Sequence, residues 1–109
     1  MAAPDGFGSV QLPLRPFVLA ALLPGEDYGR GVIQRLEDSL GGALKFRSAA
    51  VYPILRQLEA ESLVSSRLMM PPGVPRSKPR YYYKLTDSGL KAAESAAEEL
   101  LELFRRKVH

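Results

Sequence analysis

The sequence has no cysteine and no tryptophan, and its one histidine, His109, is the last residue. Without cysteine there is no disulfide framework, no thiolate metal site and no cysteine nucleophile. A single terminal histidine argues equally against a histidine-based metal site or catalytic triad. The acidic residues fall mainly on predicted helix surfaces, and the sequence contains no glycine-rich phosphate loop. We therefore expect a protein that is not an enzyme and that has no cofactor and no metal.

Long hydrophobic runs are also missing. No stretch approaches the roughly 20 apolar residues that span a bilayer, and the N-terminus has no apolar signal core. The sequence therefore predicts a cytoplasmic protein with no membrane partner. Its 109 residues, 46% of them hydrophobic, predict one globular domain with one modest core.

Positive charge is concentrated in the middle of the chain. The whole protein has a formal net charge of +3, but residues 45–85 contain eight basic and only two acidic residues. The segments before and after this region have net charges of −2 and −1. Such a distribution is typical of a protein that binds a polyanion such as DNA. A solvated basic surface without a partner would have the same composition.

The first third of the chain predicts two helices. Residues 12–23 are apolar on almost every side, so a helix there should be buried, and the Pro-Gly pair after it ends the helix. A second helix is predicted over residues 28–40, with Asp27 as its N-cap and the two following glycines as its stop. Gly29, in its first turn, would permit close packing on the first helix.

The third predicted helix begins at about Arg47, runs to about Ser62 and is amphipathic. Its apolar stripe has the i, i+3, i+4, i+7 spacing of a single helix face and consists of Val51, Ile54, Leu55 and Leu58. The residues that point away from this stripe are Ala49, Tyr52, Pro53 and Arg56. Ser48 is the predicted N-cap, and Pro53 falls in or near the first turn, where a missing N–H costs least. A short outward face of this kind fits a DNA major groove, and an ordinary surface helix is the alternative.

After this helix the sequence predicts a β-hairpin. Residues 64–70 and 80–85 have the composition of strands, whereas the segment between them contains four prolines and a glycine, which exclude helix and central strand. A long exposed loop is usually functional or disordered. Arg76, Lys78 and Arg80 alternate along it, as residues that reach phosphates from an extended chain would.

Several side chains in this region have two interpretations. Lys45 and Arg47, just before the third helix, either reach phosphates or lie in a solvated loop. Tyr52 either touches DNA or packs its ring on the hairpin with its hydroxyl outward. The run of tyrosines at 81–83 alternates between the two faces of a strand. At least one ring should therefore be in the core and another near the DNA side or a dimer cleft.

The last predicted helix begins after Thr86, which is a suitable N-cap, and runs to about Lys107. Its apolar residues recur every three or four positions, as in a coiled-coil seam, and are Leu90, Ala93, Ala97, Leu100, Leu101 and Phe104. A helix of about 20 residues is about 30 Å long, which is longer than a small three-helix core needs. We therefore predict that this helix pairs with a second copy of the chain. The alternative is that it packs wholly on its own domain.

Three compact helices, a hairpin and a long helix define the predicted fold class. It is mainly α with a small two- to three-stranded antiparallel β wing, a winged helix-turn-helix followed by a long C-terminal dimerisation helix. The predicted divisions are a flexible arm at 1–11, the winged-helix domain at 12–85 and the dimerisation helix at 86–109. In this architecture the third helix enters the major groove and the wing contacts the backbone or the minor groove. The residues predicted to bind DNA are Lys45, Arg47, Ser48, Ala49, Tyr52, Pro53, Arg56, Arg76, Lys78 and Arg80.

Four segments of the sequence resemble the PadR family of transcriptional regulators. They are residues 28–29, 51–59, 61–64 and 80–89, and the similarity extends over about 12–106. The most specific parts are Val-Tyr-Pro at 51–53 and Tyr-Tyr-x-Leu-Thr-x-x-Gly at 82–89. The chain departs from the family pattern where Ala49 and Ala50 replace the usual Gly-Thr or Gly-Ser, which removes a hydroxyl from the face predicted to meet DNA.

This resemblance implies a homodimeric winged-helix repressor with a single C-terminal dimerisation helix. Its partners would be double-stranded DNA with a palindromic operator, a second copy of itself and a small aromatic effector that releases it from DNA. Because the chain lacks tryptophan, aromatic contacts to an effector would have to come from phenylalanine or tyrosine. The alternative function is a winged-helix module that binds a ligand or a protein without specific DNA binding.

Overall fold

The computed structural model describes residues 14–39, 41–42, 45–73 and 76–108, with the backbone alone at 103, 104 and 106–108. Within these residues the chain forms four helices and three strands. They are α1 (Leu14–Ala21), β1 (Asp27–Tyr28), α2 (Gly29–Ser39), α3 (Ser48–Ala60), β2 (Val64–Met69), β3 (Arg80–Leu85) and α4 (Asp87–Val108). The predicted winged-helix class is confirmed. The predicted arm at 1–11 lies outside the described residues.

The sheet is antiparallel, with strand order β1-β3-β2. β2 and β3 pair along their whole length, from Val64 opposite Leu85 to Met69 opposite Arg80. β1 adds two residues to the other edge of β3, with Tyr28 opposite Tyr82. The hairpin was predicted from strand composition, whereas β1 is too short to have a sequence period.

The role predicted for Asp27 was wrong. Asp27 lies in β1, and its Oδ1 accepts a hydrogen bond from the N–H of Tyr28 at 2.8 Å instead of capping α2. Its Oδ2 forms an ion pair with Nε of Arg35 at 2.9 Å. Arg35 also donates hydrogen bonds to the carbonyls of Ala21 and Gly25. This carboxylate and guanidinium therefore hold the α1–α2 connection against the start of the sheet.

The core lies where the first three helices meet the sheet and α4. Its completely covered side chains come from α1, α2, α3, β2 and α4, and include Val18, Val32, Val51, Leu55, Leu58, Val64 and Ala93. The apolar stripe predicted for α3 is thus the face that packs inward, although Ile54 at its edge is only half-buried. This packing fixes which face of α3 points outward.

Tight backbone connections orient α3 relative to the sheet. At the end of α3 the N–H of Leu63 donates to the carbonyl of Leu58, and the N–H of Ser62 donates to that of Glu59. This is a Schellman motif, with Ser62 in the left-handed position at φ 62°. The predicted cap of α4 is confirmed, because Thr86 Oγ1 accepts a hydrogen bond from the N–H of Gly89 at 3.0 Å.

Two of the three consecutive tyrosines are buried. Tyr83 packs into the core, and Tyr82 lies on the opposite face of β3, where its ring centroid is 5.4 Å from that of Tyr28. The side chain of Tyr81 is 57% exposed. Tyr81 and Tyr83 point to the same face because they are two residues apart on a strand. Tyr81 is exposed because the wing extends beyond the core at that point.

α4 uses part of its apolar face within the protomer. Ala93, Ala96 and Leu100 are buried in the core that includes α1. Leu90 and Leu101, by contrast, are 44% and 61% exposed. Of the other two residues predicted for dimerisation, Ala97 is half-buried and the side chain of Phe104 lies outside the described residues. No helix in the described part of the chain is both long and apolar enough to cross a bilayer.

Candidate nucleic-acid interface

The outward face of α3 is a continuous exposed stripe. Its exposed residues are Ala49, Ala50, Pro53, Arg56, Gln57 and Ala60, which fall on one side of the helix at about 100° per residue. The stripe therefore begins with the small apolar side chains of two alanines and a proline. It continues with the guanidinium of Arg56 and the amide of Gln57. Sequence reasoning did not select Gln57, because an exposed glutamine in a helix has no distinctive pattern.

The start of α3 differs from the prediction in two respects. Ser48 is the first helical residue and not the cap, a position taken by Arg47, which makes no side-chain capping bond. Pro53 is the sixth residue of the helix and so lies beyond the first turn. Because proline has no N–H, it cannot donate to the carbonyl of Ala49 four residues earlier. The N-cap therefore contributes no side-chain hydrogen bond, and the Ala49 carbonyl lacks its usual donor within the helix.

Tyr52 links α3 to the start of α2. A methyl group in place of the hydrogen of Gly29 would overlap the Tyr52 ring. The absent side chain at Gly29 thus makes room for a ring from α3, and the predicted packing on the first helix was wrong. Tyr52 is half-buried, packs against the core and borders the cleft between α3 and the sheet. Its contact with DNA stays a prediction.

The cations predicted to bind DNA have few carboxylate partners within the described part of the chain. Within the described residues, Arg47, Arg56, Arg76, Lys78 and Arg80 form no ion pair, and Lys45 has only a long contact of 3.8 Å with Glu37. The arginines with a close carboxylate partner are Arg15, Arg35, Arg67 and Arg105. The charges of α3 and the wing are therefore available to an external anion.

A cleft of about 590 Å³ separates α3 from the sheet. Its lining comes from the start of α2, the flank of α3 and the neighbouring strands, and consists of Tyr28, Gly29, Tyr52, Arg56, Glu59, Ser66, Arg80, Tyr81 and Tyr83. Arg56 of α3 and Arg80 of β3 thus border the same opening. The outward flank of α3 and the beginning of β3, at Arg80, therefore face the same side of the molecule.

Interactions within the cleft hold several lining groups in place. Cζ of Arg80 lies 5.2 Å from the centroid of the Tyr28 ring, an arrangement suited to a cation–π interaction. Glu59 Oε2 accepts a hydrogen bond from the hydroxyl of Ser66 at 2.5 Å. Burial and the nearby Glu59 carboxylate raise the pKa of Tyr83, so its hydroxyl stays protonated at neutral pH. The cleft therefore offers hydroxyl and guanidinium donors.

Two carboxylates outside the cleft, on the connection after α1 and at the end of α3, are paired with guanidinium groups. The hydrogen bonds from Arg67 lower the pKa of Glu26, and those from Arg15 lower the pKa of Glu61. Both carboxylates remain ionised at neutral pH, but each is paired with a guanidinium. Their repulsion of an approaching polyanion is therefore reduced.

Comparison with protein families relates this geometry to a known group. The family described as the transcriptional regulator PadR-like family matches residues 18–95. The chain belongs to the PadR-like family. The match runs from α1 through the wing into α4 and includes all four segments that carried the resemblance. The PadR-like family is one of transcriptional regulators, not of enzymes. No curated protein sequence matches the chain.

Solved structures include PadR-family neighbours with the same fold. The Pex protein of Anabaena, described as circadian clock associated, has a TM-score of 0.71 at 23% identity, with 87% of this chain and 80% of that chain covered. A PadR-like transcription factor of Bacteroides fragilis has a TM-score of 0.60 at 28% identity, with 85% and 87% covered. Bacillus subtilis PadR in complex with operator DNA has a TM-score of 0.63 at 26% identity. That alignment covers 75% of this chain but only 45% of the Bacillus subtilis chain.

Proposed function

We propose that this PadR-like protein is a sequence-specific DNA-binding transcriptional regulator, a homodimeric repressor with a palindromic double-stranded operator. α3 enters the major groove, and the wing lies along the phosphate backbone or the minor groove. The observation that carries the proposal is a set of cations at the start of α3, on α3 and on the wing that form no ion pair within the described residues, namely Arg47, Arg56, Arg76, Lys78 and Arg80. Cations without an internal carboxylate can neutralise phosphates at no cost in broken ion pairs. Because the proposed partner is operator DNA, we propose that the protein is cytoplasmic.

The common cleft bordered by Arg56 and Arg80 supports this arrangement. A duplex lying against the outward stripe of α3 would also contact the wing near Arg80, on the same side of the molecule. Phosphate contacts from the wing would then supply affinity, while Arg56 and Gln57 would reach base edges. The family membership, with a PadR–operator complex among the structural neighbours, supports the same partner.

The exposed apolar residues of α4 support the dimeric part of the proposal. Leu90, Ala97 and Leu101 lie on one side of the helix beside the stripe that packs into the core. A second copy that covers these residues would bury two leucines that are now exposed. Two-fold symmetry would present two α3 helices to half-sites about one helical turn apart, roughly 34–36 Å.

We also propose that a small aromatic effector releases the repressor from DNA. It rests on the family resemblance and on the tyrosine-rich cleft, since the chain has no tryptophan to stack on a ligand. An effector could lower operator affinity either by changing the distance between the two α3 helices or by occupying the DNA-binding face itself.

The test is binding to DNA from upstream of the protein's own gene, measured by fluorescence anisotropy and footprinting at several salt concentrations. We expect a protected palindrome and an affinity that falls steeply with salt, because each neutralised phosphate releases counterions. A specific affinity that does not change with salt would overturn the phosphate contacts. Equal binding to random and upstream duplexes would favour the alternative, a winged-helix module that binds a ligand or a protein.

Variants separate the two classes of DNA contact. Arg76→Ala or Lys78→Ala should weaken binding to all duplexes by a similar factor, whereas Arg56→Ala or Gln57→Ala should change the preferred bases. Lys91→Ala removes an exposed cation from α4 and is the matched control, which should bind as the parent does. If all four variants lowered specific and nonspecific binding equally, base reading by α3 would be wrong.

A further inference from the structure

Backbone and side-chain groups form a joint between α3 and α4, made of Ser62 and Leu63 after α3 and of Thr86 and Gly89 at the start of α4. The Thr86 hydroxyl donates a hydrogen bond to the Ser62 carbonyl at 2.6 Å, and the Thr86 N–H donates to the Leu63 carbonyl at 3.1 Å. The same hydroxyl oxygen accepts the N–H of Gly89 at 3.0 Å. Thr86 lies 24 residues after Ser62, so these bonds hold together two segments that are distant in the sequence.

Gly89 leaves no room for a side chain in this joint. It is buried in the first turn of α4. A methyl group in place of its hydrogen would overlap the carbonyl oxygen of Leu63, which already accepts the Thr86 N–H. The obstructing group is backbone, so it has no alternative rotamer through which to move away. An added carbon at Gly89 therefore has to push α4 away from the chain that leaves α3.

The joint connects two parts of the protomer that are each held firmly. On the α3 side, the N–H groups of Ser62 and Leu63 donate to carbonyls in the last turns of α3. On the other side, α4 packs against α1 and buries Ala93, Ala96 and Leu100 in the core. Because hydrogen bonds or core packing hold both segments, a displacement between them tilts α4 relative to α3.

We propose that this joint sets the distance between the two α3 helices of a dimer, and with it the half-site spacing that the protein prefers. Gly89 and Thr86 are the positioning residues. The inference rests on the proposed function, in which α4 meets a second copy of the chain and α3 enters the major groove.

The size of the displacement supports this role. Relief of the overlap at Gly89 requires a separation on the order of 1 Å. Two copies double this shift, and a tilt grows further along the 13 residues of α3. The combined change approaches the rise of one base pair, roughly 3.4 Å. A small change at the joint is therefore enough to favour a different half-site spacing.

The absence of cysteine allows the geometry of the joint to be measured directly. Introduced cysteines are the only thiols of the chain. Gln57→Cys on α3 and Glu98→Cys on α4, both at exposed positions, therefore carry one pair of nitroxide labels per protomer. Doubly labelled full-length protein is mixed with excess unlabelled protein, and pulsed EPR reports the distance between α3 and α4 within one protomer, without DNA. The parent should give one narrow distance distribution.

Variants of the joint are compared in the same labelled background. Gly89→Ala should shift the mean distance by on the order of 1 Å or more and widen the distribution. Thr86→Val removes the hydroxyl that bonds Ser62 and should widen the distribution, whereas Thr86→Ser keeps the hydroxyl and should match the parent. Ser88→Ala is the matched control, because Ser88 is exposed in the same turn of α4.

A purely structural role of the joint would lower stability without changing this distance in the folded protein. Parent-like distances in both Gly89→Ala and Thr86→Val would overturn the proposal. If Gly89→Ala does not fold, as judged by circular dichroism, Thr86→Val decides the question alone.

The spacing preference is measured separately, with duplexes whose half-sites have the parent's spacing or are one base pair closer or farther apart. An isolated half-site completes the set. We expect Gly89→Ala to lose about tenfold or more in affinity at the parent's spacing, because one half-site loses base contacts. Its affinity for the isolated half-site should stay within about twofold of the parent's.

Two outcomes distinguish failure of the joint from failure of the proposed function. Equal losses on every duplex, or an unchanged spacing preference, would overturn the link between the joint and the spacing. A parent that binds none of the duplexes would overturn the proposed function together with this link. Unchanged EPR distances, by contrast, would overturn the joint even in a protein that binds its operator.

Discussion

Gly29 shows how a single residue depends on a partner from another helix. A methyl group at this position would overlap the Tyr52 ring, which belongs to α3. Helix propensity alone would favour alanine by up to about 1 kcal/mol. The close contact therefore outweighs propensity at this position, and it couples the start of α2 to the helix proposed to enter DNA.

We expect Gly29→Ala to lower the free energy of unfolding by about 1–3 kcal/mol, as an overpacked contact does. The measurement is urea unfolding of the single variants and of the Gly29→Ala, Tyr52→Ala double variant. Once the ring is absent, the added methyl group should no longer destabilise the protein, so the two effects should not be additive. Additive losses would show that the ring does not occupy the space above Gly29.

At the scale of one element, the end of α3 is held by a strained residue. Ser62 has φ 62°, a left-handed conformation that favours glycine. The same residue accepts a hydrogen bond through its carbonyl from the Thr86 hydroxyl at 2.6 Å. The backbone of this turn thus connects α3 to the N-cap of α4.

Ser62→Gly should raise the free energy of unfolding by about 0.5–1 kcal/mol, because glycine relieves the left-handed strain. The midpoint of urea unfolding reports the change. Ser65→Gly is the matched control, since Ser65 is an exposed residue of the extended strand β2, where glycine should destabilise by a similar amount. Destabilisation by both variants would contradict the Schellman geometry of this turn.

The connection of α1 to the end of α3 should depend on pH. Arg15 donates two hydrogen bonds to the carboxylate of Glu61, which lower its pKa. A carboxyl with a lowered folded-state pKa stabilises the protein above the unfolded value of about 4.3 and loses this effect as the pH falls through the folded value.

Glu61→Gln should therefore reduce the difference in stability between pH 7 and pH 3. The effect should be small, because both side chains are exposed and solvent screens their interaction. Urea midpoints at the two pH values test it, with Glu94→Gln on α4 as the control that should keep the parent's pH dependence. An unchanged pH dependence in Glu61→Gln would show that the ion pair does not contribute in solution.

At the scale of the whole molecule, α4 has two different apolar faces. Ala93, Ala96 and Leu100 are buried in the protomer's core, whereas Leu90 and Leu101 are exposed. The proposed dimer would use the exposed face, which is narrower than the seam expected from the sequence. Both alternatives considered for this helix, pairing with a second copy and packing on its own domain, would then apply to different residues.

Leu101→Glu should shift the protein toward a monomer by placing a charge in the proposed interface. Sedimentation velocity over a range of concentrations measures the change. Ser95→Glu places the same charge on a different side of α4 and should leave the association unchanged. A dimer of equal strength in both variants would show that this stripe is not the interface.

The sequence by itself determined the order of the helices and the hairpin, and the place of the positive charge. The inward stripe of α3 and the two glycines that end α2 are local signals. Helical periodicity and helix termination both depend on residues close together in sequence. Local reasoning also selected the cations of the wing, because Arg76, Lys78 and Arg80 alternate along an extended loop. That these cations form no ion pair within the described residues became visible only in three dimensions.

Tertiary structure decided the features that depend on residues far apart in the sequence. The pairing of Tyr28 with Tyr82 created β1. Packing of the sheet buried Tyr82 and Tyr83, whereas Tyr81 lies where the wing extends beyond the core and is exposed. The contact between Gly29 and Tyr52, and the meeting of Arg56 with Arg80 at one cleft, likewise require the packed sheet and helices. Burial and strand register are properties of the folded chain, because they depend on which distant segments exclude water from each other.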